Sequence, residues 1–460
     1  MKKLVFWVVC IGVLAPLGWG LFFKYEGNAP TVDLSLSSVY LKKDSTVSMD
    51  IRDEGAGLRH VSVYISQNNT ERKLFEKNYP ASSIQSFFSD KKVSQDHFQV
   101  NIDARRQGLS DGDALIRIRA TDYSWRGWNK GNEFEKSWKV IVDTRPPRVQ
   151  VLSTRHNIQK GGAGLVIYRL MEEDVKSGVM VGDNFFPGHS GMFDDPLVHA
   201  AFFALNHEQG QGTRIWVKAE DLAGNVSKKG FRYYIGNKNF KTDVIKISER
   251  FLEAKMPGFD LGKMEDDFNA TKAPNLAKFL EINRNIRQAN VEKILSVPAD
   301  TRPEIFWNGR FARLPGSANR AGFADRRIYK YKGKEVDRAT HLGIDLASTA
   351  NAEVGAANSG RVIMAEYVGI FGNSVIIDHG FGLASLYSHL DSMNVQVGDT
   401  VKKGDLIGYT GITGLVGGDH LHLSVIVHNT FVNPVEWWDT KWIRNNVTSK
   451  IEAVRKLISK

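Results

Sequence analysis

The chain has very little cysteine and proline for its length. It contains one cysteine, Cys10, and 13 prolines in 460 residues. A single cysteine excludes an intramolecular disulfide framework and any structural zinc site built from several cysteines. A metal ion in this protein must therefore be held by histidine and carboxylate side chains. With 42% hydrophobic and 24% charged residues, the composition is that of ordinary globular domains, not of disordered or collagen-like chains.

The sequence also lacks a concentrated basic arm or helix face, although it carries 61 Lys+Arg against 51 Asp+Glu and a net charge of +10. Proteins that bind nucleic acid usually gather their basic residues in such a patch. Here these residues are spread along the chain. We therefore expect no nucleic-acid partner, and we interpret the surplus charge as a mild attraction to anionic surfaces such as cell wall or lipid head groups.

One long apolar run lies at the N-terminus. After two lysines, an uncharged stretch from Leu4 to Phe23 is long enough to cross a bilayer core of about 30 Å. Bulky residues such as Trp19 lie where a cleavable signal peptide, the alternative, would need small ones. We therefore predict an uncleaved transmembrane anchor over residues 1–25. The positive-inside rule then predicts a single-pass inner-membrane protein with the bulk of the chain in the periplasm.

Residues 29–145 have the pattern of a β-sandwich. Apolar residues at every second position, such as Val61, Val63 and Ile65, recur in short runs separated by turn residues. This alternation is typical of half-buried antiparallel strands. The pair Pro146-Pro147 then marks a linker.

Residues 146–238 repeat the end of this first unit. A strand, an Ala-x-Asp turn and a second strand occur in both copies, with the turns at Asp122 and Asp221. Such internal repetition predicts tandem sandwich domains. The Ala-x-Asp-x-x-Gly-Asn motif of the second copy resembles that of bacterial immunoglobulin-like modules in extracytoplasmic proteins. These modules would offer surfaces to cell-wall or division proteins.

Residues 239–300 change to a helical period. Apolar residues at spacings of three and four form one stripe from Val244 to Leu252 and another from Leu276 to Ile294. We predict a helical spacer, beginning near Thr242, that holds the C-terminal domain away from the membrane. A regulatory lid over that domain is the alternative.

Near the C-terminus, two strand-like segments place chemically active side chains on one face. His341 and Asp345 share a face, about 13 Å apart along a straight strand, and Gly343 between them would let the backbone bend and close that gap. His420 and His422 share a face at about 7 Å.

A further histidine, His389, follows an apolar strand-like run. Two neutral imidazoles and one carboxylate are the ligand set expected of a catalytic zinc, with a fourth position left for water. The ion lowers the pKa of that water toward about 7 and polarises a scissile carbonyl. Two remaining histidines can take the water's proton and later protonate a leaving amine. The spacing alone does not assign these roles among the four histidines.

Three motifs of this region resemble those of the lysostaphin-type zinc metallopeptidases, which are peptidoglycan endopeptidases. In chain order they are His341-x-x-x-Asp345, Tyr387-Ser388-His389-Leu390 and His420-Leu421-His422. The resemblance covers about residues 305–437.

The resemblance implies a role for each of these residues. His341, Asp345 and His422 would hold one Zn²⁺ per chain. His389 and His420 would flank the catalytic water, activate it and stabilise the tetrahedral oxyanion. Some members that lack one or more of these residues act as non-catalytic activators of other wall hydrolases. Since all five are present here, the resemblance implies an active metalloendopeptidase.

Two segments depart from the family pattern. The basic stretch Arg326–Lys334 replaces the glycine-rich segment that precedes the first ligand in the family. Gly414–Asp419 replaces a segment that is usually rich in serine and threonine. Both changes would alter the groove and the substrate preference.

Several other residues have structural interpretations. We expect His379 to make a structural hydrogen bond, His428 to lie on the surface at a strand end and Trp437 to be a packing anchor. Residues 439–460 have the pattern of an amphipathic helix docked on the domain, with its lysines in water.

The sequence thus predicts a mainly β protein: an N-terminal transmembrane helix, two tandem immunoglobulin-like sandwiches, a helical spacer and an antiparallel-β zinc peptidase domain over 301–438. We expect it to cut peptide bonds in the stem or cross-bridge of peptidoglycan. A non-catalytic or autoinhibited scaffold that activates other wall hydrolases is the alternative. Which bond is cut depends on loops that the sequence does not define.

Overall fold

The computed structural model describes residues 25–36, 38–80 and 92–459, with a few isolated positions among the first 24. Strands dominate these residues, which confirms the predicted mainly β fold. The predicted anchor over residues 1–25 lies almost wholly outside the described residues. Within the described part, no helix is long and apolar enough to cross a membrane.

The first compact unit contains residues 1–146 and 220–226. Its sheets have the strand orders β1-β3-β6 and β2-β8-β7-β4-β5. Alternate side chains from both sheets, among them Met49, Ile65 and Ile118, form one buried apolar cluster. The immunoglobulin-like character of this unit stays a prediction. The strands are β1 (Thr31–Ser35), β2 (Tyr40–Leu41), β3 (Asp44–Arg52), β4 (Leu58–Gln67), β5 (Thr70–Asn78), β6 (Gln95–Asp103), β7 (Gly112–Asp122) and β8 (Glu133–Val142).

The second compact unit contains residues 147–219 and 227–460. The second sandwich, the spacer and the peptidase segment therefore share one compact unit, and their individual boundaries stay predictions. Up to Gly236 the strand orders are β10-β17, β14-β11-β9 and β13-β12-β15-β16. These strands are β9 (Val149–Val151), β10 (His156–Gln159), β11 (Ala163–Leu170), β12 (Lys176–Val181), β13 (Asn184–Pro187), β14 (Val198–Ala204), β15 (Ile215–Glu220), β16 (Val226–Gly230) and β17 (Tyr233–Gly236).

The C-terminal part is built on one large antiparallel sheet of order β19-β22-β29-β26-β25-β24-β27, extended by β23, β28 and β30. A separate three-stranded sheet has the order β18-β20-β21. The strands are β18 (Thr242–Ile247), β19 (Ala318–Ala321), β20 (Arg326–Tyr331), β21 (Lys334–Thr340), β22 (Ile344–Ala347), β23 (Glu353–Gly355), β24 (Gly360–Val368), β25 (Gly372–Asp378), β26 (Leu383–Met393), β27 (Thr400–Val401), β28 (Leu406–Thr410), β29 (Leu421–Val427) and β30 (Thr430–Val432).

The predicted helical start at Thr242 is wrong. Residues 242–247 form β18, which pairs in parallel with β20. The run contains Thr, Val and two Ile, and such β-branched side chains favour a strand once a partner strand is available. The first helix of this segment begins only after Ser248, whose side chain accepts a hydrogen bond from the Phe251 backbone N–H.

The helices of this segment pack into the same core as the large sheet. Leu252, Phe279 and Ile294 are fully buried in the cluster that also contains the sheet residues Leu346 and Leu423. The segment therefore forms part of the peptidase core and does not separate it from the rest of its unit. The helices are α1 (Glu249–Lys255), α2 (Met264–Asn269), α3 (Pro274–Glu281) and α4 (Arg287–Ser296), with α3 and α4 joined by the π-helical Ile282–Ile286.

The C-terminal residues form the expected docked helix. Its parts are α5 (Val435–Trp438), α6 (Thr440–Ile443), the π-helical Arg444–Thr448 and α7 (Ser449–Ile458). Val447 and Val454 are buried. The expectation that all its lysines lie in water is wrong, because Lys450 is buried and donates from Nζ to Leu165 O at 3.0 Å.

Candidate active site

All five predicted site residues line one cavity of about 460 Å³. Strand pairing brings three of them together, since Asp345 on β22 lies opposite His422 on β29, and Ser388, the residue before His389, lies opposite His422 from β26. The register of the large sheet therefore joins residues that are far apart in the sequence.

His341 reaches the site by a different route from the one predicted. The chain leaves the small sheet at Thr340 and joins the large sheet at Ile344, so no continuous strand carries both His341 and Asp345. Gly343 provides room here: a Cβ at this position would lie 2.5 Å from Ser424 Oγ and 2.6 Å from His422 Nε2. The glycine is thus needed for close approach of the His422 ring.

Three side-chain atoms form a tight triangle in this cavity. His341 Nε2 and His422 Nδ1 lie 2.9 Å and 3.0 Å from Asp345 Oδ1, and 2.9 Å from each other. All three residues are buried, and as a group they could hold a metal ion. In tetrahedral zinc sites with bonds of about 2.0–2.1 Å, ligand atoms lie about 3.3 Å apart, so the donor set fits one zinc.

The hydrogen bonds on the far side of each ligand ring determine where its proton lies. His341 Nδ1 donates to Gly322 O at 2.9 Å, because a carbonyl can only accept. Ser424 Oγ donates to Leu342 O, so it accepts from His422 Nε2 at 2.9 Å. In the neutral rings, His341 Nε2 and His422 Nδ1 therefore face each other with lone pairs. Two lone pairs at 2.9 Å repel, and a shared cation removes that repulsion.

The other two histidines are oriented in the same way. His389 Nδ1 donates to Thr413 O at 3.0 Å and His420 Nδ1 donates to Gly418 O at 2.8 Å, which leaves Nε2 of each neutral ring as an acceptor. Their ring centroids lie 5.0 Å apart. His389 adopts φ +64°, a left-handed conformation that is costly for a residue with a side chain and that clusters at functional sites.

Burial and neighbouring charges shift the pKa values of these groups in different directions. Burial lowers the pKa of His422 to about 4 and holds that of His389 well below its ordinary value. Burial opposes ionisation of Asp345, but the surrounding histidines outweigh it and hold the pKa of this carboxyl well below its ordinary value. Burial also lowers the pKa of His420, yet the hydrogen bond and charge of Asp345 outweigh it and raise that pKa. Neutral imidazole and ionised carboxylate are the forms that ligate metals.

Sequence reasoning missed two residues that support this site. Arg327 Nη2 donates to Asp345 Oδ2 at 2.9 Å, which leaves Asp345 Oδ1 facing the histidines. Ser424 accepts from His422 as described above. The signals were weak: Arg327 belongs to the basic stretch that departs from the family pattern, and Ser424 stands two residues after His422 on the same face of β29.

The cavity has a second wall from the segment predicted as a spacer. Ile245, Phe251, Phe279 and Arg287 line it together with the histidines. Burial lowers the pKa of Arg287. The site is therefore bounded by residues far outside the motifs.

Of the three structural predictions for other residues of this region, two are confirmed and one is wrong. His379 is buried and makes the predicted structural hydrogen bonds, to Ser359 O at 2.7 Å and with Ser385 Oγ at 2.8 Å. Trp437 is fully buried, as expected of a packing anchor. The expectation for His428 is wrong: it is buried, because its ring packs against those of His189 and Phe186, with ring centroids 5.8 Å and 6.1 Å away.

Comparison with known proteins identifies the C-terminal region. Residues 339–434 match the model of peptidase family M23, so the chain carries an M23 peptidase domain there. Peptidoglycan DD-endopeptidase ShyB of Vibrio cholerae serotype O1 is 34% identical over 116 residues, 25% of this chain and 26% of that protein. DD-carboxypeptidase/endopeptidase Mpg of Neisseria meningitidis serogroup B is 37% identical over 95 residues, 21% of this chain and 22% of that protein.

Among solved structures, the catalytic domain of lysostaphin from Staphylococcus simulans is 28% identical, with coverage of 26% of this chain and 92% of that domain and a TM-score of 0.23. The family match confirms the predicted lysostaphin-type resemblance for the C-terminal region. The chain spans about a quarter of the length of the curated relatives named above.

Proposed function

We propose that this chain is a zinc-dependent endopeptidase that hydrolyses peptide bonds in the stem or cross-bridge of bacterial peptidoglycan. The observation that carries the proposal is the convergence of two lone-pair nitrogens, from His341 and His422, on the ionised Asp345 in one cavity. Two further histidines line the same cavity. The similarity to proteins named peptidoglycan endopeptidases supports the substrate class.

His341, Asp345 and His422 would hold the zinc ion, which when bound supplies a water of lowered pKa and polarises the scissile carbonyl. Arg327 keeps Asp345 oriented by its hydrogen bond to Oδ2. Ser424 keeps His422 in the tautomer with a free Nδ1. The protein therefore presents its donors in the protonation state and orientation that a metal needs.

His420 and His389 would move and hold the protons of the reaction. In its neutral form His420 presents Nε2 as an acceptor, so it can take a proton from the attacking water and pass it to the leaving amine. His389 has a pKa held well below its ordinary value, so it stays neutral and its Nε2 is available to hydrogen-bond the attacking water.

We also propose that the enzyme works in the periplasm from an inner-membrane anchor. The support is the apolar run from Leu4 to Phe23 and the two lysines before it. The sandwich modules between anchor and peptidase would bind wall or division proteins. A peptidoglycan substrate lies in the same compartment.

The test is digestion of purified, cross-linked peptidoglycan by protein from Lys24 to Lys460, with fragments identified by mass spectrometry. We expect metal-dependent release of new amino termini, lost on chelation and restored by Zn²⁺. His420→Ala should lower the rate by about 10²- to 10⁴-fold, as expected of an acid–base group. His97→Ala, which changes an exposed histidine of the first unit, is the matched control.

Intact wall material after treatment with folded, zinc-loaded protein would contradict the proposal. That result would favour the scaffold that activates other wall hydrolases.

A further inference from the structure

The first compact unit contains a second group of potential metal ligands, remote from the peptidase motifs in the sequence. Glu26, Asp53 and Asp122 each offer one carboxylate oxygen, and these oxygens lie within 4.8 Å of one another. Asp122 is fully buried and Asp53 is 5% exposed. Three carboxylates so close together, two of them buried, repel one another unless a proton or a cation lies between them.

The position of Asp122 has a structural explanation. Its Oδ1 accepts from the Asn132 backbone N–H at 2.7 Å and its Oδ2 accepts from Asn132 Nδ2 at 2.8 Å. The second Ala-x-Asp turn repeats this arrangement, with Asn225 donating to both oxygens of Asp221 at 2.8 Å and 3.0 Å. Asp122 therefore closes a turn and would be buried there without any metal.

Asp53 has no such explanation. Its Oδ1 accepts from the Gly55 backbone N–H at 2.7 Å, but its Oδ2 is buried and has no hydrogen-bond partner in the part of the chain that the structure describes. A buried carboxylate oxygen without a partner is costly. A ligand at this oxygen would remove that cost.

Glu26 is held over the same loop by the shape of the backbone. A Cβ at Gly55 would lie 2.4 Å from Cδ and 2.7 Å from Oε1 of the Glu26 carboxyl group, so the glycine makes room for this approach. The Glu26 backbone carbonyl accepts from Ser124 Oγ at 2.9 Å, close in sequence to Asp122. The loop after β3, the end of β7 and the segment at Glu26 thus meet at the three carboxylates.

The positive charge of Lys92 does not neutralise the three carboxylates. Lys92 acts on Asp53, but its effect is smaller than that of either carboxylate. Its Nζ donates to the backbone carbonyls of Glu54 and Gly55 at 2.9 Å and 2.8 Å. Burial, together with Asp122 and Glu26, raises the pKa of Asp53 to about 6. At neutral pH the Asp53 carboxyl is therefore still mostly ionised.

We propose that Glu26, Asp53 and Asp122 form a Ca²⁺ site in the first compact unit. Hard oxygen donors are the ligands that Ca²⁺ prefers, with bonds of about 2.3–2.6 Å. Ca²⁺ accepts about six to eight oxygens in flexible geometry, whereas Mg²⁺ demands near-ideal octahedral geometry and usually keeps several waters, so three carboxylates from separate segments favour Ca²⁺. Waters would complete the coordination. The ion would fasten the chain at Glu26, just after the predicted anchor, to the body of the unit.

The test uses the full chain, purified in detergent and loaded with one equivalent of Zn²⁺. Ca²⁺ binding is measured by calorimetry, and thermal unfolding is followed with and without Ca²⁺. We expect one Ca²⁺ per chain beyond the zinc and an upward shift in the melting temperature of the first unit. Asp53→Asn should weaken Ca²⁺ binding at least tenfold and remove the shift. Asp50→Asn, on the exposed face of β3, is the matched control and should keep both.

The variant also distinguishes a cation from a shared proton. Without Ca²⁺, Asp53→Asn should leave the melting temperature equal or higher, because it removes repulsion. If this variant does not fold, Glu26→Gln replaces it, with the same expected loss of Ca²⁺ binding. Absence of Ca²⁺ binding by the unmodified protein, or unchanged binding by these variants, would overturn the proposal. An equal response to Mg²⁺ would overturn the choice of calcium.

Discussion

Ser424 provides a sharp test of how the candidate zinc site is organised. Its hydroxyl accepts from His422 Nε2 at 2.9 Å and donates to Leu342 O at 2.9 Å, so it links the ligand ring to the backbone beside His341. Ser424→Ala removes this acceptor while leaving all three proposed ligands in place. The buried Nε2–H of His422 then has no partner in the hydroxyl's position, and the ring is free to turn or change tautomer.

The expected effect is a loss of metal affinity without a loss of the fold. Removing a hydrogen-bond partner of a ligating histidine typically weakens metal binding about 10- to 100-fold, which is about 1.4–2.8 kcal/mol. The cost of leaving a buried donor unpaired, about 1–3 kcal/mol, is of the same size. We therefore expect the zinc dissociation constant to rise by one to two orders of magnitude, with catalysis restored at saturating Zn²⁺.

The assay is competition for Zn²⁺ with a chromophoric chelator, combined with thermal unfolding of the zinc-free protein. Ser392→Ala, at the exposed end of neighbouring β26, is the matched control and should keep the original affinity. A dissociation constant within twofold of the unmodified protein's, for a folded Ser424→Ala variant, would refute the reasoning that this hydroxyl orients His422.

The other predictions concern the ligands, the core and pH. His422→Ala should lose zinc, while His420→Ala should keep it and lose activity; equal zinc content in both, by elemental analysis, would contradict the assignment of His422 as a ligand. Protein beginning at Thr301 should be insoluble or molten by circular dichroism, because it lacks Leu252 and Phe279 of the core; a folded, more active product would contradict this and favour the lid. Burial raises the pKa of Glu436 from 4.5 to about 8. The native state then binds more protons than the unfolded state between these values, so its free energy of unfolding falls as pH rises through that range, by up to about 5 kcal/mol. Urea unfolding should find Glu436→Gln less sensitive to pH from 5 to 8; an unchanged pH profile would contradict the assignment.

Much of the C-terminal domain could be predicted from the sequence because its signals are local. The alternation that puts His420 and His422 on one side and Leu421 and Leu423 on the other follows from the period of a strand. The choice of histidine and carboxylate over cysteine as candidate ligands follows from composition. These features need no knowledge of distant partners.

Other features depend on partners far away in the sequence. The strand at 242–247 exists because β20, some 80 residues later, pairs with it. His428 is buried because the rings of Phe186 and His189, far earlier in the sequence, pack against it. A local pattern cannot reveal either contact.

Residue types and short spacings are enough to define which chemical groups this protein can bring to a metal and which stretches alternate as strands. Long-range packing defines which ring nitrogen each histidine presents, how Arg327 and Ser424 orient the ligands, and how the segment predicted as a spacer forms a wall of the site. The physical reason is that hydrogen-bond partners and burial are set by sheet register between distant segments, and register depends on the packing of the whole unit.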